Sequence, residues 1–276
     1  NIIPDVLLSS LTPRYGASNQ VIVITLTGTN FPDLGSFIPI CLLAGHKSIS
    51  TSILSANGVA SGLICSFSAI LDAIGTFPVL FSINSRDFVS SGLLFAIYVS
   101  PIISRLIPQM VPMHSSVPVT IVGLNFRDDL EQPQSRLGGL LQTIQFINST
   151  VMIMSSPVIS VPASLALQIT IDNNQFSNSL TLSLISLSRI SPGLGTVTGR
   201  TSICAVFEPS VVNAEGSWVS PSYRFSSYQQ NVAPIIVQGT LSLSCGGVIC
   251  QTPNASTMNS SAGDKIYIEA SVSNQS

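Results

Sequence analysis

The chain has 276 residues with 10 Lys+Arg and 12 Asp+Glu, a net charge of −2, so charged residues are 8% while hydrophobic ones reach 45%. Ten scattered cations build no basic patch, which excludes nucleic acid as a partner. A mean hydropathy of +0.52 excludes a disordered chain, which needs few apolar residues.

The first half holds the best candidate for a membrane span, Gly92 to Met113. Pro101, Arg105, Pro108 and Pro112 interrupt it, and about 20 consecutive apolar residues are needed, so no span is expected. The chain opens Asn1-Ile-Ile-Pro4 without a secretory signal, the expectation for a processed product or part of a longer polypeptide. Hydroxyls stand in for charge, with 46 Ser and 17 Thr. A surface without charge lacks the usual defence against association, so glycans or neighbouring subunits are expected to cover it.

In chain order, Val21 to Thr27, Val119 to Val122 and Leu165 to Ile171 alternate with period two, are rich in β-branched residues and are bounded by Gly, Pro, Asn and Ser, which predicts strands. Leu63 to Ile74 admits one short turn, but its β-rich surroundings argue against a true helix. A repeat organises these elements. Ser10 to Phe31 matches Arg105 to Phe126, with Pro13, Gly28, Asn30 and Phe31 against Pro108, Gly123, Asn125 and Phe126, all at offset 95 (126 − 31 = 95). Phe81 to Phe88 matches Ile169 to Phe176 at offset 88 (176 − 88 = 88). A weaker third copy opens at Ile190 to Gly195 and runs to Asn274. The borders are then 1–99, 100–187 and 188–276, each read as an antiparallel sandwich.

A leading Pro, an alternating strand and then Gly-x-Asn-Phe is similar to the IPT/TIG domain, an immunoglobulin-like fold of plexin-type receptors, other cell-surface proteins and some transcription factors. The resemblance implies an all-β protein of three tandem IPT/TIG-like sandwiches. In the third, Cys204-Ala-Val-Phe207 replaces the motif. Pro13 and Gly16 set a turn, Gly28 and Gly123 permit unusual backbone angles, and Phe31 and Phe126 anchor the core. The resemblance also implies a Cys41–Cys65 disulfide, worth about 3 kcal/mol, with Gln145 and Met154 at the matching positions of the second copy. For the other cysteines, Cys245–Cys250 and Cys204–Cys250 stay open, with one thiol left over.

Asn-x-Ser/Thr occurs at Asn148, Asn254, Asn259 and Asn274, a number chance alone would give. In a secreted protein these are N-glycan acceptors, with the first three favoured, and O-glycans on Ser/Thr are a further expectation. No catalytic or metal-binding set emerges. His46 and His114 lack ligand-spaced partners, and His46-Lys47 reads as a loop surface. Asp128, Asp129 and Glu131 read as a solvated loop, Gly193, Gly195 and Gly199 as a turn, and no Gly-x-Ser-x-Gly elbow is present. Trp218, Tyr223, Phe225 and Tyr228 read as core or interface packing. No cofactor is expected.

In the third copy Val272-Ser-Asn274 aligns with Ile171-Asp-Asn173, so its last strand is expected to be missing and supplied by a continuing polypeptide or a neighbour. Head-to-tail donation generates a filament. The functional expectation is a non-enzymatic extracellular structural glycoprotein that self-associates into a filament or surface layer. The alternative is a receptor or adhesin ectodomain with the sandwiches as spacers and a ligand-binding loop.

Overall fold

The computed structural model describes residues 6–31, 39–56, 59–69, 73–210, 221–227, 233–261 and 263–271. Strands make up 59% of it and helix 2%, so the all-β class read from the period-two pattern holds. Two compact units are present: residues 1–102, 125–134 and 169–178 form one, and 103–124, 135–168 and 179–276 the other.

The first unit contains β1 (Leu7–Thr12), β2 (Tyr15–Ala17), β3 (Ile22–Thr29), β4 (Ile40–Leu43), β5 (His46–Lys47), β6 (Ser50–Ala56), β7 (Val59–Phe67), β8 (Gly75–Ser82) and β9 (Val89–Tyr98). They make two sheets, β1-β3-β7-β6 and β2-β9-β8-β4-β5. Strand β3 shows why: Ile22, Ile24 and Leu26 are buried while Val23, Thr25 and Thr27 turn outward, as the side-chain period of a strand requires. Leu63, Cys65 and Phe67 of β7 meet Cys41, Leu43, Val79, Phe81, Phe95 and Ile97 from the other sheet in one core. Two sheets facing across such a core form a sandwich, and each fully buried Leu, Ile or Phe contributes about 1.5–3 kcal/mol.

Leu63 lies in β7, in keeping with its β-rich surroundings. Two local expectations change. His46 and Lys47 form β5, paired with Leu42 and Leu43 across Ala44 (φ 50°) and Gly45 (φ 85°), the left-handed pair that a two-residue hairpin favours. Gly28 is needed for closeness rather than for an unusual angle: a Cβ there would stand 2.2 Å from the Leu7 carbonyl oxygen. The left-handed residues are Asn30 and Asn125, both at φ 62°, a conformation Asn tolerates better than most residues.

The second unit holds most of β10 (Ile102–Ile107), then β11 (Met110–Pro112), β12 (Pro118–Leu124), most of β13 (Gln134–Leu137), β14 (Leu140–Thr143), β15 (Gln145–Asn148), β16 (Val151–Ser155), most of β17 (Ala163–Thr170), β18 (Leu180–Ser191), β19 (Ser202–Glu208), β20 (Ser222–Ser227), β21 (Ile235–Gln238), β22 (Thr240–Ser242), β23 (Gly247–Gln251), a 3-10 turn (Ala255–Met258) and β24 (Ile266–Ser271). The sheets are β10-β12-β16-β15, an eight-stranded sheet β14-β13-β17-β18-β19-β23-β22 with β11 beside β18, and β21-β20-β24. Ile203, Ala205, Phe207, Tyr223, Phe225 and Val248 share a core with Ile185.

Strand β18 has a double role. Leu180 to Leu184 pair with β17, and Ser186 to Ser191 pair with β19, so the repeat border drawn at 187/188 falls inside one continuous strand. The repeat is also visible in backbone detail. The peptide bonds before Pro13, Pro108 and Pro192 are all cis. Parallel pairing of Tyr15 with Ala96 recurs as pairing of Met110 with Ser183. Phe31 and Phe126 are buried as expected of core anchors.

Candidate functional site

Among the described residues no catalytic constellation forms, so the site is built from what the structure does join. The Asn84 turn comes first. Asn84 Oδ1 accepts hydrogen bonds from the Arg86 and Asp87 amides at 3.0 and 2.9 Å and from Ser82 Oγ at 3.0 Å. Ser85 is left-handed, at φ 63°. This is an Asx turn, in which a short polar side chain replaces a backbone acceptor.

The second copy repeats that turn with a carboxylate. Asp172 Oδ1 accepts from the Asn174 and Gln175 amides at 3.0 and 2.8 Å and from Thr170 Oγ1 at 3.1 Å, with Asn173 at φ 59°. The other oxygen, Oδ2, accepts the hydroxyl of Tyr98 at 2.5 Å. Gln175 Oε1 accepts from the Ala17 amide at 3.0 Å, and Asn125 Nδ2 donates to the Ser100 carbonyl at 3.1 Å. All these residues lie in the first unit. Tyr98 and Asp172 are both buried. Burial, and then the adjacent carboxylate, hold the Tyr98 hydroxyl well above its ordinary value, so it stays a donor. The arrangement is a latch that positions backbone, with its carboxylate fully engaged.

The disulfides follow strand parity. Cys41 on β4 and Cys65 on β7 are bonded, with Cα atoms 6.1 Å apart; both are fully buried, so the bridge ties one sheet to the other through the core. In the second copy Leu137-Gly138-Gly139 follows β13 as Leu43-Ala44-Gly45 follows β4. Ser135, not Gln145, therefore stands where Cys41 does; Gln145 is exposed on β15. Met154, opposite Val119, matches Cys65, opposite Ile24. Ser135 is fully buried, and its hydroxyl has no hydrogen-bond partner.

The remaining pairing corrects the expectation: Cys204 bonds Cys245, with Cα atoms 6.4 Å apart, and Cys250 is a buried thiol. On β19, Ile203, Ala205 and Phe207 face the core, so Cys204 faces away. Cys250 is directly opposite Ile203 and faces the core with it, on the wrong side of the sheet for Cys204. Cys245, in the turn between β22 and β23, lies on the Cys204 side, which rules out Cys245–Cys250. Burial pushes the Cys250 thiol up to about 12.

Asn148 and Asn254 are exposed. Asn148 Oδ1 accepts from Thr150 N and Oγ1, each at 2.9 Å, and Asn254 Oδ1 from Ser256 N and Oγ, each at 3.0 Å. Both sequons thus present one geometry. Asn259 is left-handed, at φ 51°, and closes the 3-10 turn; Asn274 lies outside the described residues. Asp129 pairs with Arg127 through two bonds of 2.6 Å; this partner holds its carboxyl below the usual range, while Asp128 and Glu131 are exposed. Among the described residues no three His, Cys, Asp or Glu gather as a metal site, and no helix is long and apolar enough to cross a membrane. Tyr223 and Phe225 stack at 6.3 Å in the core. The Tyr223 hydroxyl donates to the Val248 carbonyl and accepts from the Ala205 amide, and burial pushes it up to about 12. Trp218 and Tyr228 lie outside the described residues.

Residues 101–184 match the family model of the IPT/TIG domain. No curated protein sequence matches the chain. Among solved structures, the chain is similar to the full extracellular region of plexin A4, at 17% identity and a TM-score of 0.38, over 91% of this chain and 21% of that one. It thus spans about a fifth of that region. It is also similar to the Escherichia coli adhesin FdeC, at 12% identity and a TM-score of 0.27, over 100% and 96% of the two chains. A third is domains 5–6 of the S-layer protein SbsC, at 8% identity and a TM-score of 0.20, over 65% and 98%.

Proposed function

We propose that this chain, with an IPT/TIG domain at residues 101–184, is a non-enzymatic extracellular structural glycoprotein, a subunit of a filament or surface layer. One observation carries the reading: a surface poor in charge leaves large apolar side chains in water, among them Leu140, Leu194 and Leu243 at 72%, 88% and 83% exposure. Such a surface favours contact with other subunits or with carbohydrate. Two disulfides support an oxidising compartment. In this reading the chain works as three tandem sandwiches, 1–99, 100–187 and 188–276, with N-glycans at Asn148, Asn254, Asn259 and Asn274.

A second reading, a receptor or adhesin ectodomain with the sandwiches as spacers, is favoured by the Tyr98–Asp172 latch, since a spacer gains from stiff joints. Electron microscopy with sedimentation of the secreted chain separates them. Regular fibres or sheets support the polymer. A monodisperse monomer at high concentration overturns it and leaves the ectodomain.

A further inference from the structure

The outer face of the sheet β10-β12-β16-β15 carries an apolar row that ends at a sequon. Strand β16 buries Met152 and Met154 and turns Val151 and Ile153 outward. Strand β12 buries Val119 and Ile121 and turns Thr120 and Val122 outward. Val122 stands opposite Val151, and Val151 stands opposite Asn148. Directly opposed residues share a face, so Asn148, Val151 and Val122 form one line across the strands. A register shift between Phe146 and Asn148 brings Asn148 rather than Ile147 onto that line, as a bulge re-aims a side chain. No residue of β12, β15 or β16 is charged, and Leu124, two positions beyond Val122, is 52% exposed. The Gly123 amide donates to the Thr150 carbonyl at 2.9 Å, which holds the sequon turn against the end of β12. All these residues lie in the second unit.

The first copy fills the same row differently. Thr27 matches Val122 at offset 95 (122 − 27 = 95). Gly62 matches Val151 at the offset that joins Cys65 to Met154 (154 − 65 = 89; 151 − 62 = 89). Gly62 is opposite both Thr27 and Leu54. The first copy therefore sets a Leu beside Gly and Thr, whereas the second sets a sequon beside two Val. Asn148 is also held in place for modification. Its Oδ1 is engaged by Thr150 N and Oγ1, and among the described residues Nδ2, the atom that takes a sugar, makes no hydrogen bond.

We infer that an N-glycan on Asn148 folds back along this row, its first two sugars packing the C–H faces of their rings over Val151 and Val122. Neighbouring strands lie about 4.8 Å apart, close to the width of one sugar ring, so each ring meets one Val while its hydroxyls stay in water. The glycan is tethered at the end of the row, so the contact costs none of the translational freedom that a separate partner loses. It covers apolar surface that charge does not protect.

This inference deepens the glycoprotein reading and rests on it for occupancy of Asn148. The 276-residue chain is made in a glycosylating cell and, bare, in a bacterial periplasm, each with and without Val122→Ser and Val151→Ser. Amide hydrogen exchange is followed across Val151–Ser155. The expected result is exchange slowed at least threefold by the glycan in the original sequence and unchanged by it in the double variant. That cycle isolates the sugar–Val contact from any effect of glycans elsewhere. Equal exchange in the glycosylated and bare original chains, with Asn148 shown occupied by mass spectrometry, overturns the contact and leaves the glycoprotein reading standing. Equal slowing in the double variant overturns it too, since the sugars would then act without the Val pair. An unmodified Asn148 in the secreted chain overturns the contact together with the glycoprotein reading at this site.

Discussion

The Tyr98 hydroxyl ends β9 and donates to Asp172 Oδ2 across 2.5 Å, while the same carboxylate closes its own turn through Oδ1. Asn84 closes the matching turn of the first copy without any such donor. The second copy has thus kept the turn and used the extra oxygen of Asp for a long-range bond. Tyr98→Phe leaves that oxygen buried and unpaired, at a cost of about 2 kcal/mol. Asp172→Asn keeps the turn, as Asn84 shows, and costs less. Denaturant unfolding of both single variants and the double variant checks this, and the two losses are expected not to add.

The Cys41–Cys65 bridge closes a span of 24 residues. Replacing both cysteines by Ser is expected to lower stability by about 3 kcal/mol. Peptide mapping without reduction is expected to recover Cys204 joined to Cys245. Cys250 should be alkylated only after denaturation, since a buried thiol with a raised pKa is inert.

Ser135 occupies the place of a bridged cysteine with nothing for its hydroxyl to bond. Ser135→Ala removes the orphan group and is expected to raise stability by about 1 kcal/mol, read from the denaturant midpoint at unchanged slope. A loss of stability would mean that the hydroxyl has a partner in solution.

Alkaline pH should weaken the fold through the same buried groups. The Cys250 thiol rises from its ordinary 9.0 to about 12, and Tyr223 from 10.0 to about 12. The folded state therefore holds protons that the unfolded state has released. Their contribution is complete below pH 9 and is lost as pH climbs towards 12. Cys250→Ala should flatten the fall between pH 9 and 12, as read from unfolding curves across that range.

Secretion from a glycosylating cell is expected to add glycans at Asn148 and Asn254, where the exposed sequons share one turn geometry. Mass spectrometry of Asn148→Gln and Asn254→Gln variants should show one glycan fewer each.

How much of this was legible in the sequence depends on the range of each interaction. The offsets 95 and 88 paired equivalent positions, Asn30 with Asn125 among them, because a local motif recurs with its spacing. Alternation identified β3 and β17 for the same reason. The left-handed angle itself was expected at Gly28 and Gly123 and falls on the Asn residues instead. The pairing of Cys204 was hidden, because the turn between β22 and β23 decides which face Cys245 reaches. Ser135 was missed in favour of Gln145 because the loops before β4 and β13 differ in length. The Leu-x-Gly that follows both strands, Leu43-Ala-Gly45 and Leu137-Gly-Gly139, was the available signal. The Tyr98–Asp172 bond spans 74 positions, and no local pattern announces it, although the Asn-to-Asp change at the matched turn marks one end.

Strand β18 runs for twelve residues without a break, held by β17 over its first half and by β19 over its second. A pull along the polypeptide here meets no slack segment to extend before the sheet itself is loaded. Tension entering at Leu180 is carried through Ser191 by covalent backbone backed first by β17 and then by β19, as one continuous beam spans two rooms.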